Sequence, residues 1–327
     1  MKRFLLSACA ALALSLPAVP AAAQDLPVLR IAVLKFGTVN WLMETITANG
    51  FDKANGFRLD TVPLAGGAAT SVAFRSGDVD MIVDDWVWAL YQRDRGVPIE
   101  FVPYSNTLGA LMARPGIETI CDLKGKSVGV VGGETDKSWL ILQALATRDC
   151  GFDITREAKV LFGAPPLMSQ QLESGAVDAV STYWHFAAKL EAIGMPRLVG
   201  VQEAMVELGI DPAPPMIGFV WDSARSDGDT VAGMLRAAEA GRAALADDAA
   251  WEALRPMMRV KDDAEFIALR EAFQAGRPGP WTDAETDAAR ALYDLLTELG
   301  GEGFRAEAGP FDPGVFNDPT AATPDAG

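Results

Sequence analysis

Short apolar runs built from Leu, Ile and Val alternate along this chain with longer stretches of mixed polarity. Leu29–Leu34, Phe57–Val62, Met81–Val83 and Ile99–Pro103 read as strands, bounded by turn residues such as Gly66-Gly67 and Ser76-Gly77. Between them Asn40–Asn49, a stretch that turns in at Gly66-Gly67 and ends near Ser76-Gly77, and Trp86–Arg95 read as helices. After a loop at Arg114–Lys124 the order begins again. Ser127–Val131, Ala158–Phe162 and Ala176–Val180 are the strands, and Asp136–Thr147, Leu167–Glu173 and Trp184–Ile193 the helices. Strands separated by helices at this spacing predict mostly parallel sheets with both faces covered. Beyond Ser223 the chain is Ala-rich and helical, with breaks at Gly276–Pro280 and Gly300-Gly301. The stretch from Pro310 to Gly327, rich in Pro, Asp, Ala and Gly, is expected to be frayed.

The second series is a copy of the first. Ser76-Gly77-Asp78-Val79-Asp80 recurs as Ser174-Gly175-Ala176-Val177-Asp178, and Asp84-Asp85-Trp86 aligns with Thr182-Tyr183-Trp184, an offset of 98 residues throughout. That period exceeds the ~20–50 residues of solenoid repeats. It fits two similar α/β lobes facing each other across a ligand cleft. Two extended stretches, Leu108–Ala113 and Met216–Val220, flank the second copy and read as paired hinge crossings. Lobe one is then expected in residues 24–110 and again in 216–309, lobe two in 111–215, and a flexible tail in 310–327.

The amino end has the order of an export signal: Lys2 and Arg3, the apolar run Phe4–Leu16, then Ala21-Ala22-Ala23. Residues 1–23 are therefore expected to be removed, leaving a periplasmic protein that begins at Gln24. The run is shorter than the ~20 residues that span a bilayer. Processing takes away two bases and no acid, moving the formal charge from −16 to −18. So acidic a chain is a poor partner for nucleic acid or anionic membrane. Cys121 and Cys150 remain and form a disulfide candidate in an oxidising compartment, with two buried thiols as the alternative.

These features resemble the periplasmic substrate-binding proteins of ABC importers, in the nitrate, sulfonate, taurine and thiamine-pyrimidine group. The resemblance rests on Leu29–Gly37, the paired Ser-Gly-x-Val-Asp, Asp122-Leu123-Lys124-Gly125-Lys126-Ser127-Val128-Gly129-Val130 and the late Gly300-Gly301…Phe311-Asp312-Pro313…Phe316. It covers nearly all of the mature chain. It implies a two-lobed α/β type II binding fold, two mostly parallel sheets joined by a two-strand hinge. It also implies a monomer that closes on a small molecule and delivers it to a permease and its ATPase. A receptor that signals to a membrane kinase, or a pyrimidine-precursor enzyme on the same fold, is the alternative.

Ligands of such sheets meet the loops at the carboxyl ends of the strands. Those loops and the helix starts beside them carry Phe36, Thr38, Asn40, Trp41, Gly67, Asp84, Asp85 and Trp86 in the first copy. Gly133, Trp139, Thr182, Tyr183, Trp184 and His185 stand in the second. Aromatic faces beside carboxylates suit a cationic or N–H-rich organic ligand. One of Asp84 and Asp85 is expected to cap the helix at Trp86 and the other to face the ligand. The aligned Trp86 and Trp184 are read as an aromatic clamp. Helix starts at Gly67 and Gly133 would instead favour an anion such as a sulfonate or nitrate, with Lys35 or Lys137 offsetting the aspartates. The choice between these ligands stays open. A single histidine removes His-cluster metal sites and most Ser or Cys triads, so no metal, cofactor or catalytic residue is expected.

Overall fold

A computed structural model describes residues 26–321 of the chain; the expected export signal over residues 1–23 lies outside them. Among the described residues there are ten strands: β1 (Val28–Leu34), β2 (Arg58–Leu64), β3 (Met81–Asp85), β4 (Ile99–Ser105), β5 (Gly109–Ala113), β6 (Ser127–Val130), β7 (Lys159–Phe162), β8 (Ala179–Tyr183), β9 (Arg197–Gly200) and β10 (Ile217–Asp222). They form two five-stranded sheets, ordered β2-β1-β3-β10-β4 and β7-β6-β8-β5-β9. Each holds four mutually parallel strands and one antiparallel intruder, β10 in the first and β5 in the second. The intruders are exchanged. The chain leaves β4 to insert β5 into the second sheet, and leaves the second sheet to return β10 to the first. The two crossings expected from sequence are thus sheet strands themselves, each pairing on both sides in the other half's sheet.

The helices that matter below are α1 (Val39–Ala48), α2 (Gly67–Ser76), α3 (Trp86–Asp94), α4 (Lys137–Cys150), α5 (Pro165–Ser174), α6 (Trp184–Ala192), α7 (Gly228–Ala244), α8 (Asp263–Ala275) and α9 (Asp283–Ala308). The copy seen in sequence carries into the elements for three pairs: α2 and α5, β3 and β8, and α3 and α6 each begin and end 98 residues apart. The repeated Ser-Gly-x-Val-Asp explains why. Gly77 and Gly175 close α2 and α5 with φ of 83° and 78°, a left-handed cap that favours glycine. The Asp80 carboxylate then accepts the Arg30 N–H at 2.8 Å, and the Asp178 carboxylate accepts the Ser127 N–H at 2.8 Å. Each aspartate also donates its own N–H to the same residue's carbonyl, at 2.9 Å in both copies. The motif therefore ends a helix and pins the next strand to its neighbour, a structural task on both sides.

The described part of the late Pro-rich stretch is packed, contrary to the frayed tail expected from composition. Asp312 accepts from Arg93 Nε at 2.6 Å, and Val315 is fully buried. Phe311 and Phe316 pack edge-on against Trp86, with centroids 6.2 and 6.0 Å away. Two phenylalanines and one ion pair outweigh the turn-forming composition, because they fill the space left beside Trp86. Cys121 and Cys150 are joined, with Cα atoms 5.3 Å apart and a sequence separation of 29. Closing a loop of that length stabilises a fold by about 3–4 kcal/mol. The bond ties the loop before β6 to the far end of α4, whose amino end lies in the candidate site.

Candidate ligand cleft

The carboxyl ends of β3 and β8 carry Asp84-Asp85 and Thr182-Tyr183, each at once followed by a helix. Asp85 is the capping aspartate of the pair: its Oδ1 accepts the Trp88 N–H at 2.8 Å and so satisfies one of the free donors of α3. Its other oxygen, Oδ2, lies 3.0 Å from the ammonium of Lys137, the first residue of α4. Lys137 belongs to the second copy, so this ion pair spans the two halves. On the far side Asp136 caps α4 by accepting the Trp139 N–H at 3.0 Å. The preceding turn folds so closely over that carboxylate that a Cβ at Gly132, where φ is 102°, would lie 2.4 Å from it.

Three carboxylates around one ammonium set the electrostatics. Burial, then the neighbouring Asp85, push Asp84 up to about 7; its bond from the Asp85 N–H at 2.9 Å, Lys137 and the Ser71 hydroxyl offset part of that rise. Burial also raises Asp136. For Lys137 burial works against the charge, but Asp85, Asp84 and Asp136 together hold the ammonium above the ordinary lysine value. Burial and Asp136 likewise raise Tyr183, which is 39% exposed and faces the same cluster. The arrangement can donate from Lys137, Tyr183, Ser71 and protonated Asp84, and can accept at Asp85. Near neutral pH Asp84 switches between those two roles.

The other residues expected in the site divide sharply. Thr182 is buried with its hydroxyl unpartnered, and His185 presents an equally unpartnered Nδ1. Burial and Lys189 lower His185 to about 4, so the ring is neutral at physiological pH. Trp184 is half-buried against Trp41 at 6.0 Å, and Trp41 packs in turn on Trp251 and Phe273, both at 5.8 Å. Thr38 is buried at the start of α1. Asn40 spends its amide on its own turn, donating to the Leu34 and Gly37 carbonyls at 2.7 Å each. Phe36 is 64% exposed under the Arg259 guanidinium, 4.0 Å from the ring. Gly67 opens α2 and accepts the Thr70 hydroxyl at 2.9 Å, whereas Gly133 only forms the turn before Asp136.

The aromatic clamp is corrected. Trp86 is 0% exposed and packs on Phe311 and Phe316, so it is sealed in core, while its aligned partner Trp184 is half-buried against Trp41 and Phe273. Trp139 is core as well, at 1% exposed. The copy preserves backbone position, but the two rings meet different neighbours: Phe311 and Phe316 seal Trp86, whereas Trp184 packs on Trp41 and on Phe273 of α8 and stays half-buried. Asp136 and Ser71 were not singled out from sequence, and Lys137 entered only as a compensating charge. The signal for Asp136 was available: an Asp ahead of an apolar-periodic helix is a cap. Among the described residues no cluster of His, Cys, Asp or Glu has the arrangement of a metal site, and no helix is long and apolar enough to cross a membrane.

Two α/β sheets that exchange their antiparallel strands and oppose their carboxyl edges define the two-lobed periplasmic-binding-protein fold. The chain belongs to the NMT1/THI5 like family, whose model matches residues 46–248. No curated protein matches the chain in sequence. Among solved structures it is similar to the periplasmic aliphatic sulphonate binding protein SsuA from Escherichia coli, with 17% identity, a TM-score of 0.65 and 83% of this chain covering 87% of that one. The alkanesulfonate-binding protein SsuA from Xanthomonas axonopodis pv. citri, bound to MOPS, has 15% identity and a TM-score of 0.65, with 85% of this chain and 95% of that one covered. The desulfurization enzyme DSZB shares the fold at 15% identity and a TM-score of 0.57, over 84% of this chain and 92% of its own. At these identities the likeness is one of fold.

Proposed function

We propose that this protein is an exported solute receptor that closes its two halves on a small organic molecule and hands it to an ABC importer. The observation that carries the reading is the 3.0 Å contact between Lys137 and Asp85. It gathers polar groups from both sheets into one half-buried cluster, as a two-sided ligand site requires. The export signal read at residues 1–23 and the described fold support the same reading. Residues 26–110 and 216–321 form one wall in this view, and 111–215 the other. A receptor is favoured over an enzyme because Cys121 and Cys150 are bonded to each other, so neither is a free thiol nucleophile.

The ligand we infer carries N–H donors or a positive charge for Asp85 and Asp84. Asp84, Asp85 and Asp136 outnumber Lys137, and an anion alone would meet net repulsion. A second reading has its own observation: Lys137 is a half-buried ammonium, and a ligand with an acidic group would take it over from Asp85. Tryptophan fluorescence of the mature chain, refolded from denaturant to strip carried-over ligand, separates them. Saturable binding of aminopyrimidines or amines, weakened at least tenfold by Asp85→Asn, supports the first. Binding of sulfonates that is lost in Lys137→Ala and kept in Asp85→Asn supports the second. No binding by any member of either panel overturns the assignment of the cleft.

A further inference from the structure

A cavity lies beside the crossing from β4 to β5, away from the Asp85–Lys137 cluster. It has a volume of about 140 Å³, and its wall includes Tyr104, Arg242, Leu245, Ala246, Phe273 and Arg277. In a chain where Asp and Glu outnumber Lys and Arg by 44 to 28, this wall holds two arginines and no carboxylate. Arg242 is the unusual member. Its side chain is only 11% exposed, and burial draws its pKa down from the ordinary arginine value. One guanidinium nitrogen, Nη2, donates to the Tyr104 carbonyl at 3.0 Å. The nearest acid, Glu239, sits 3.7 Å from Nη1, is half exposed, and is shared with Arg277. With one hydrogen bond and one long ion pair, this guanidinium has donor capacity left for a further acceptor.

We propose that this cavity is a binding site for a small monocarboxylate with an apolar body, separate from the ligand cleft. The size fits: a cavity of ~150 Å³ holds a benzene ring. Phe273, Leu245 and the ring of Tyr104 supply the apolar wall. Arg242 supplies the charge-assisted donors that carboxylates prefer. Arg277 and Ala246 are exposed and form the rim through which the ligand enters. The site also touches the crossing itself. Gly276 accepts from the Asn106 N–H at 2.8 Å and the Ser105 hydroxyl at 3.3 Å, and both Ser105 and Gly276 line the cavity. A bound carboxylate therefore sits against the start of the segment that joins the two sheets.

The test uses benzoate as the probe, titrated by calorimetry into the full mature chain, with benzamide as its uncharged counterpart. Saturable benzoate binding, with none for benzamide, is expected. Arg242→Gln should weaken it about 10- to 100-fold, the usual cost of deleting a charged hydrogen-bond partner. Because Arg242 also packs on Tyr104 and Phe219, Arg242→Gln stands only if its circular dichroism and melting match the parent. Ala246→Phe, which plugs the rim from an exposed position, decides the matter otherwise and should abolish binding. Unchanged benzoate affinity in Ala246→Phe overturns the proposal, as does equal binding of benzamide. Loss of benzoate binding in Lys137→Ala overturns it too, by sending the anion to the cleft.

Discussion

Asp84→Asn should make the folded protein more stable above neutral pH, and the structure sets the size of the gain. The folded carboxyl ionises near 7 instead of the ordinary 3.8, first because it is buried and then because Asp85 adjoins it. Below about pH 4 both folded and unfolded chains hold that proton, and above about pH 7 neither does. In between only the folded chain holds it, so stability falls as pH rises through that window. One pH unit of difference is worth about 1.4 kcal/mol, which puts the full loss at about 4 kcal/mol. The Lys137 charge beside it offsets part of the rise and shares the effect, so we expect about 2–4 kcal/mol. Asparagine keeps the shape and can still accept the Asp85 N–H now held at 2.9 Å. The assay is urea unfolding of parent and variant at half-unit steps from pH 3.5 to 8.5. The curves should nearly coincide at the acid end and diverge by 2–4 kcal/mol at the alkaline end, the variant being the more stable. Asp136 contributes to both curves and cancels in their difference. Two parallel curves across the whole range would refute the burial argument. On the proposed function, an amine ligand should also bind the parent more tightly as Asp84 ionises, and the variant should lack that rise.

Lys137→Ala should cost about 2 kcal/mol in urea unfolding, between the ~0–1 of exposed pairs and the ~3–5 of fully buried ones, because both partners are only partly covered. The same change should move the Asp84 titration further up, seen as a shift in the pH dependence just described. Reduction of the Cys121–Cys150 bond, or its replacement by Cys121→Ser with Cys150→Ser, should lower stability by about 3–4 kcal/mol; no difference between oxidised and reduced protein contradicts the loop-closure argument. Trp86→Phe should destabilise by about 1–3 kcal/mol through lost packing on Phe311 and Phe316 while leaving ligand affinity unchanged. A tenfold loss of affinity at unchanged stability would return Trp86 to the cleft.

Much of the fold was legible because duplication writes itself into sequence. The Ser-Gly-x-Val-Asp pair marks two helix ends and two strand starts, and left-handed Gly77 and Gly175 with the strand-pinning Asp80 and Asp178 are the local reason it recurs. Alternation of apolar runs and helical stretches then gave two α/β halves, and two cysteines at the ends of one βα unit gave a candidate disulfide. These signals are short-range: a cap, a turn, a period. What the chain places around a side chain from hundreds of residues away is not written locally. Trp86 and Trp184 share their motif position, yet Phe311 and Phe316 cover one and not the other. Asp84 and Asp85 are neighbours of one type, and only the direction of the Trp88 N–H separates the cap from the buried carboxyl. Lys137 gains its meaning from Asp85, 52 residues earlier and in the other sheet. Sequence determined the elements, their repetition and their end-caps; packing across the exchanged sheets decided which polar groups meet, because burial and charge act through space and take no account of order along the chain.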